Sequence, residues 1–538
     1  MLRTSTRRPI VGLALSVCAG TLFGLVYPVA FGPAIVAAAA IWTIGMLALR
    51  GAADRVLKAR SSWIPDVCIH AAAVLLAAAS AAQSISGLYA ASAFAADRSR
   101  NSCELIGVIA DEPSATPVPQ ASASLWRFPL TLEASRPAPD AAWERTRGDI
   151  QVRWQAGSGG ITPRYGDRWI VRGNLVLDAG RWPSTPSATP RYRCYAVRAR
   201  SQWLSGGHGA WALDACYAAR KTADAYLSRG IESHTAAVNI IRALLLGYPN
   251  SLAPDVRQDF TSTGTIHIIA ISGLQVGMVA GILVAVLGAC GISRVRWILV
   301  LTPALVAYTI ATGLSPSALR SCVMALIFFA APFLKRHSDG LSALSLAAVA
   351  ILAVNPAALF DISFILSFTA VLGLILLYPS LARTGSSLFH PDPLRLQPEA
   401  TRVRFLRGAA RQVWSLLAAS LAASLFTIPI TAYCFGIVSV IGLLGNLIAV
   451  PVSFLIVFAG CLSLAFGACA AVMAEVFNHA NLFLVGFLLK SMNIMAALPA
   501  SHFAMARPSW VSIAGWYVSL ALLVVALKLK MDKVPETP

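Results

Sequence analysis

Phe260-Thr261-Ser262-Thr263-Gly264-Thr265-Ile266-His267-Ile268-Ile269-Ala270-Ile271-Ser272-Gly273-Leu274-Gln275-Val276-Gly277 opens an apolar run that continues to residue 290. About twenty such residues in a helix cross roughly 30 Å of hydrocarbon, because in lipid every backbone group must bond within its own segment. The run therefore reads as a transmembrane helix, and it holds His267, Ser272 and Gln275 at membrane depth. Polar side chains there cost free energy unless they pair or face water, which makes these three candidates for a substrate pathway. Ser272 and Gln275, three apart, share a helix face. A second reading stays open, in which Gly264, Gly273, Gly277 and Gly281 let helices approach closely and His267 and Gln275 bond between them.

Working outward, the chain of 538 residues is 57% hydrophobic and 12% charged, with a mean hydropathy of +0.68. Those values exclude an ordinary water-soluble enzyme. Comparable apolar runs lie near residues 10–28, 32–49, 66–90, 264–290, 297–313, 316–334, 340–355, 360–379, 412–433, 438–466, 470–497 and 509–528. The fold class is thus a polytopic α-helical membrane protein of about twelve transmembrane helices. The first run follows Arg3, Arg7 and Arg8, yet lacks an A-x-A-like cleavage site and is read as a retained helix.

Positive residues stay on the cytoplasmic side. They gather in alternate loops: Arg50, Arg55, Lys58 and Arg60; Arg294 and Arg296; Lys335 and Arg336; Arg383 to Arg411; and Lys528, Lys530 and Lys533. This pattern puts both termini in the cytoplasm of a bacterial inner membrane, with Arg507 the exception on the outer side. The net charge of +19 is therefore largely topological and does not by itself identify a nucleic-acid partner.

Residues 1–92 form an N-terminal membrane domain, and 100–205 change abruptly to a polar, Pro- and Trp-rich segment on the outer face. Alternating stretches Cys103 to Ala110, Leu125 to Leu132, Asp149 to Trp154 and Arg168 to Leu177 read as strands of an inserted extracytoplasmic OB-like β-barrel. This segment has many arginines and, between Cys103 and Gln202, no lysine. Arg127, Arg153, Trp154, Arg168 and Trp169 are its candidates for gripping a single-stranded backbone and stacking its bases. The alternative makes the tryptophans barrel core, with Glu133, Asp149 and Asp167 offsetting the arginines. Cys103 and Cys194 bracket the segment and are expected to oxidise together in a periplasm-like space. Residues 206–262 provide a helix on the membrane surface and a connector, and 263–530 the main membrane domain.

In Gly313-Leu314-Ser315-Pro316-Ser317-Ala318-Leu319-Arg320, a Pro-started helix carries an arginine near the outer surface. Arg320 either meets a phosphate backbone or pairs with Asp361 at similar depth. Further on, Phe426-Thr427-Ile428-Pro429 and Asn446-Leu447-Ile448-Ala449-Val450-Pro451 suggest two Pro-interrupted helices, with Asn446 as the candidate lining residue. No P-loop, H-E-x-x-H, convincing G-x-S-x-G triad or zinc spacing occurs, so no catalytic residue, metal or cofactor is expected. Directed transport would need an outside driver.

These motifs together resemble the ComEC family of competence proteins over most of residues 100 to 500. The family hallmark HLLAISGLHVG is similar to His267 to Gly277, SPSALRA to Ser315 to Ser321, LSFAAVLGL to Leu366 to Leu374, and NLLAVP to Asn446 to Pro451. The resemblance implies a channel that passes one DNA strand into the cytosol. Implied partners are single-stranded DNA, uptake pili, a periplasmic DNA receptor, a cytosolic ATPase or helicase, single-strand-binding proteins and the bilayer. The chain departs from the pattern at Gln275, where the hallmark has its second histidine, at Ile365, where a glutamine is common, and at Cys434, where YHFG has histidine. Many members carry a metallo-β-lactamase-like domain after the membrane region. The sequence ends at Pro538 without one, and no nuclease activity is expected of it. Two rival readings are a membrane-embedded hydrolase using His267, Ser272 and Asp361, and a transporter of another anionic polymer or lipid-linked substrate.

Overall fold

The computed structural model describes residues 9–26, 40, 69–81, 102–117, 124–137, 140–156, 162–178, 191–196, 201–248, 252–269, 273–313, 316–335, 339–388, 401–467, 470–499 and 501–532. The expected run at 32–49, residue 40 excepted, and Ser272 lie outside these residues. The chain divides into two units, Met1–Lys221 with Ser345–Asp361, and Thr222–Leu344 with Ile362–Pro538.

The first unit holds helix α1 (Pro9–Val26), helix α2 (Ile69–Ala81) and a seven-stranded sheet. Its strands are β1 (Ser102–Ile109), β2 (Ser114–Pro117), β3 (Ser124–Arg136), β4 (Glu144–Ala156), β5 (Arg168–Asp178), β6 (Arg191–Ala196) and β7 (Gln202–Ser205). Period-2 alternation explains the long strands, since successive side chains point to opposite faces. In β3 the apolar parity is Trp126, Phe128, Leu130 and Leu132. It faces Trp154, Val152 and Ile150 of β4 through the pairs Trp126 with Trp154, Phe128 with Val152 and Leu130 with Ile150. These residues join Leu105, Ile109, Trp169, Val171 and Leu175 in one buried core. Each fully buried large side chain contributes about 1.5–3 kcal/mol.

The ladder runs β1 to β3 to β4 to β6 to β5, and β5 pairs back to β1. Among the described strands of this sheet β4 and β6 pair in parallel and the other pairs are antiparallel. The four strands read from the sequence are all present, whereas β2, β6 and β7 were not anticipated.

Helix α3 (Trp211–Ser228) begins in this unit. Tyr217 donates its hydroxyl to Asp111 Oδ1 at 2.7 Å, and Arg220, 5% exposed, reaches Glu112 Oε2 at 2.8 Å. Burial, and then the Asp111 carboxylate, push the Tyr217 phenol above its ordinary range, so it stays a protonated donor at neutral pH.

The second unit is helical. It comprises α4 (Thr235–Leu245), α5 (Pro254–Ser262), α6 (Ile266–Ile269), α7 (Gly273–Ala289), α8 (Trp297–Ala311), α9 (Pro316–Phe333), α10 (Gly340–Val354, shared between the units), α11 (Ile362–Leu376), α12 (Tyr378–Leu388) and α13 (Thr401–Phe435), then α14 (Gly442–Gly467), α15 (Ala471–Ala496) and α16 (Trp510–Asp532). A two-stranded ribbon, β8 (Ile437–Ser439) with β9 (His502–Ala504), joins the ends of α13 and α15.

Among the described residues four helices, α13 to α16, are long and apolar enough to cross a membrane, or five spans if the bent pair α11 and α12 counts as one. Seven further described helices have apolar stretches of 10–17 residues. By helix length alone the described residues thus show four or five of the expected dozen crossings.

The Pro-interrupted helices are corrected. Both α13 and α14 run unbroken through Pro429 and Pro451. Proline lacks an N–H, so Pro429 deprives the carbonyl four residues earlier, Leu425, of its helical donor. The indole of Trp516 on α16 supplies one at 2.9 Å, and Tyr517 Oη donates to the neighbouring Phe426 carbonyl at 2.8 Å.

Candidate functional site

The hallmark segment holds the turn α6, through Ile269, and helix α7, from Gly273. In an apolar surrounding a polar side chain needs a partner. Gln275, 2% exposed, bends back and donates Nε2 to the Ile268 carbonyl at 2.6 Å. The polar side chain that looked out of place thus ties α7 to α6. Gln275→Leu is expected to remove this bond and lower stability by about 1–3 kcal/mol, read as a lower thermal midpoint of the purified protein in detergent. Gln275→His, the residue of the family pattern, keeps a ring donor and is expected to lose less.

The start of α6 is anchored by a polar node. Gly264 adopts φ +68°, and a Cβ there would lie 2.8 Å from Ser439 Cβ, so only glycine fits both backbone and space. Thr263 donates to the Asp259 carbonyl at 2.9 Å, its hydroxyl lies 2.8 Å from that of Thr265, and both rest on Met492 Sδ at 3.7 and 3.4 Å. Ser439 Oγ donates to the Ser262 carbonyl at 3.0 Å, which fixes the β8–β9 ribbon to the same point. His267, exposed on α6, has Nδ1 3.1 Å from the Gly264 carbonyl; a carbonyl only accepts, so Nδ1 carries the proton.

Arg320, 3% exposed on α9, donates through Nη2 to both the carbonyl and the hydroxyl of Ser363 on α11, at 2.8 and 2.7 Å. Its guanidinium carbon also sits 6.0 Å from the Phe364 ring centroid. Asp361 is half-buried in the first unit, at the end of the 3-10 turn Pro356–Phe360. Asn446 on α14 donates Nδ2 to Ser420 Oγ of α13 at 2.8 Å, while its Oδ1 is buried without a partner among the described residues.

In the sheet, Arg127 and Arg153 stand directly opposite each other on β3 and β4, on the face away from the core. The pair puts two positive side chains side by side on that face. The other sheet candidates behave differently. Trp169 and Trp154, 2% and 6% exposed, form an edge-to-face pair in the core with centroids 5.2 Å apart. Neither presents a ring for base stacking, so this expectation is corrected. Arg168 is held by Glu133, with Nη2 2.7 Å and Nε 2.8 Å from its Oε2.

Cys103 and Cys194 are separate buried thiols, and this too is a correction. The strands β1 and β6 flank β5, opposite Gly173 and Leu175 respectively. Two strand spacings of about 4.8 Å set the backbones beyond the roughly 7 Å Cα reach of a disulfide. Burial, with the adjacent Cys103 second, pushes the Cys194 thiol well above its ordinary range and keeps it protonated.

An apolar helical unit whose helices are tied by a buried glutamine, a buried arginine and a half-buried asparagine defines the class: a multi-helix membrane protein. Within that class the chain belongs to the Competence protein family, whose model matches residues 244–530, more than half of its length. It is also similar to ComE operon protein 3 of Bacillus subtilis (strain 168), at 29% identity over 215 residues, covering 40% of this chain and 24% of that relative. The match therefore spans about a quarter of the relative's length. No solved structure matches.

Proposed function

We propose that this protein serves DNA uptake in competence as an inner-membrane channel for single-stranded DNA. The observation that carries this reading is the family match over 244–530, which covers the hallmark segment, Arg320 and Asn446. Polar groups held inside apolar helices are what a hydrated route through a bundle requires. In this reading the shorter apolar helices are also spans, making about twelve crossings in all with both termini cytoplasmic. A strand order that returns on itself with one parallel pair suits an OB-type barrel, here placed in the periplasm. Its Arg127 and Arg153 would receive the strand, and a periplasmic receptor would deliver it. With no P-loop in the sequence, a cytosolic ATPase or helicase supplies the drive, and single-strand-binding proteins hold the product.

Deletion of the gene, followed by separate scoring of periplasmic and cytosolic labelled DNA, tests this reading. The expected result is loss of the cytosolic fraction with the periplasmic fraction retained. Normal cytosolic import in the deletion strain would defeat it.

A further inference from the structure

Two asparagines stand one turn apart on the buried stripe of α15, which runs Ala474, Asn478, Asn481, Val485, Leu488, Met492. Asn478, 0% exposed, is fully engaged: it accepts from Ser463 Oγ at 2.8 Å and donates to the Tyr226 and Arg229 carbonyls at 2.7 and 3.0 Å. Asn481 is equally buried at 0%, yet among the described residues neither Nδ2 nor Oδ1 has a hydrogen-bond partner.

The described residues of the seam around it explain why none of them partners the amide. Gly467 faces Ala474, its missing Cβ 3.0 Å from the alanine Cβ, and Ser463 faces Asn478, so α14 and α15 run antiparallel. One further turn brings Asn481 level with Gly460. A Cβ on Gly460 would lie 2.4 Å from Leu245 Cδ2, so that side is occupied by a leucine of α4, which offers no polar atom.

An amide buried with both ends unpaired destabilises a fold, and leucine would fill the same volume without that cost. A fully satisfied asparagine one turn away shows that this seam can accommodate an amide for structural reasons. Asn481 does not fit that role.

We infer that Asn481 marks a hydrated site inside the α14–α15 seam, where water bonds its amide and a polar group of the passing DNA strand replaces that water during import. An amide offers donors and an acceptor together, so it solvates a phosphate or a base edge alike and imposes no sequence preference. The hydrated site stands on the geometry alone, whereas its use by DNA rests on the import reading above.

Two measurements on the full-length protein in its membrane test the inference. Asn481→Cys and Val485→Cys, one turn apart and equally buried, are treated with a membrane-impermeant methanethiosulfonate, the parent chain giving the background of native thiols. Modification of Cys at 481 at least about tenfold faster than at 485 is expected, because the reaction needs water at the sulfur. Equal rates overturn the hydrated site.

Asn481→Leu is then expected to melt no lower than the parent while cytosolic DNA import falls by about tenfold or more. Import at the parental rate, or a lowered melting temperature, overturns the role assigned to the amide. Normal import after gene deletion would remove the DNA reading and leave the thiol result standing on its own.

Discussion

Arg320→Met is expected to cut cytosolic DNA import by about a hundredfold, the scale of losing one charged contact at a functional site, while the protein still folds and inserts. A buried arginine is expensive, because its charge is withdrawn from water, and Nη2 bonds the Ser363 carbonyl and hydroxyl. Methionine has nearly the same length, fills the space beside Phe364 and carries no charge to desolvate. Arg320→Lys keeps a cation that meets phosphate as a point charge without the planar fork, so import should recover in part. Scoring cytosolic label against the amount of folded protein in the membrane separates the two roles. Parental import by the methionine variant, or a loss that merely follows protein abundance, would reduce Arg320 to a structural tie between α9 and α11.

Hydrophobic patterning made most helices of the second unit legible, because a lipid-spanning helix writes its requirement directly into composition. Helices α8, α9, α10, α14, α15 and α16 begin and end within a few residues of their apolar runs. The four principal strands were legible from period-2 alternation for the same reason.

What alternation also contained, and composition obscured, was the fate of the tryptophans. Trp154 shares its parity with Val152 and Ile150, and Trp169 with Val171 and Leu175, so both belong to the inward face. Arg127 and Arg153 have the opposite parity and lie outside.

Gln275 could be seen as misplaced in sequence, but its partner, the backbone carbonyl of Ile268, carries no mark in the sequence. Asn481 escaped notice because an isolated asparagine in an apolar helix looks like its neighbour Asn478. Only the hydrogen bonds distinguish them.

The second large effect is expected on the sheet. Replacing both Arg127 and Arg153 by glutamine should weaken binding of single-stranded DNA to the full-length protein in lipid nanodiscs and flatten its salt dependence. Each phosphate contact on a single strand contributes about 0.7 to the slope of log affinity against log salt, so losing two lowers the slope by about 1.4. Arg168→Gln serves as the contrast, because Arg168 pairs with Glu133. It should leave the slope nearly unchanged. An unchanged slope in the double variant, measured by fluorescence anisotropy of a labelled oligonucleotide across a salt series, would remove this face of the sheet from the path of the DNA.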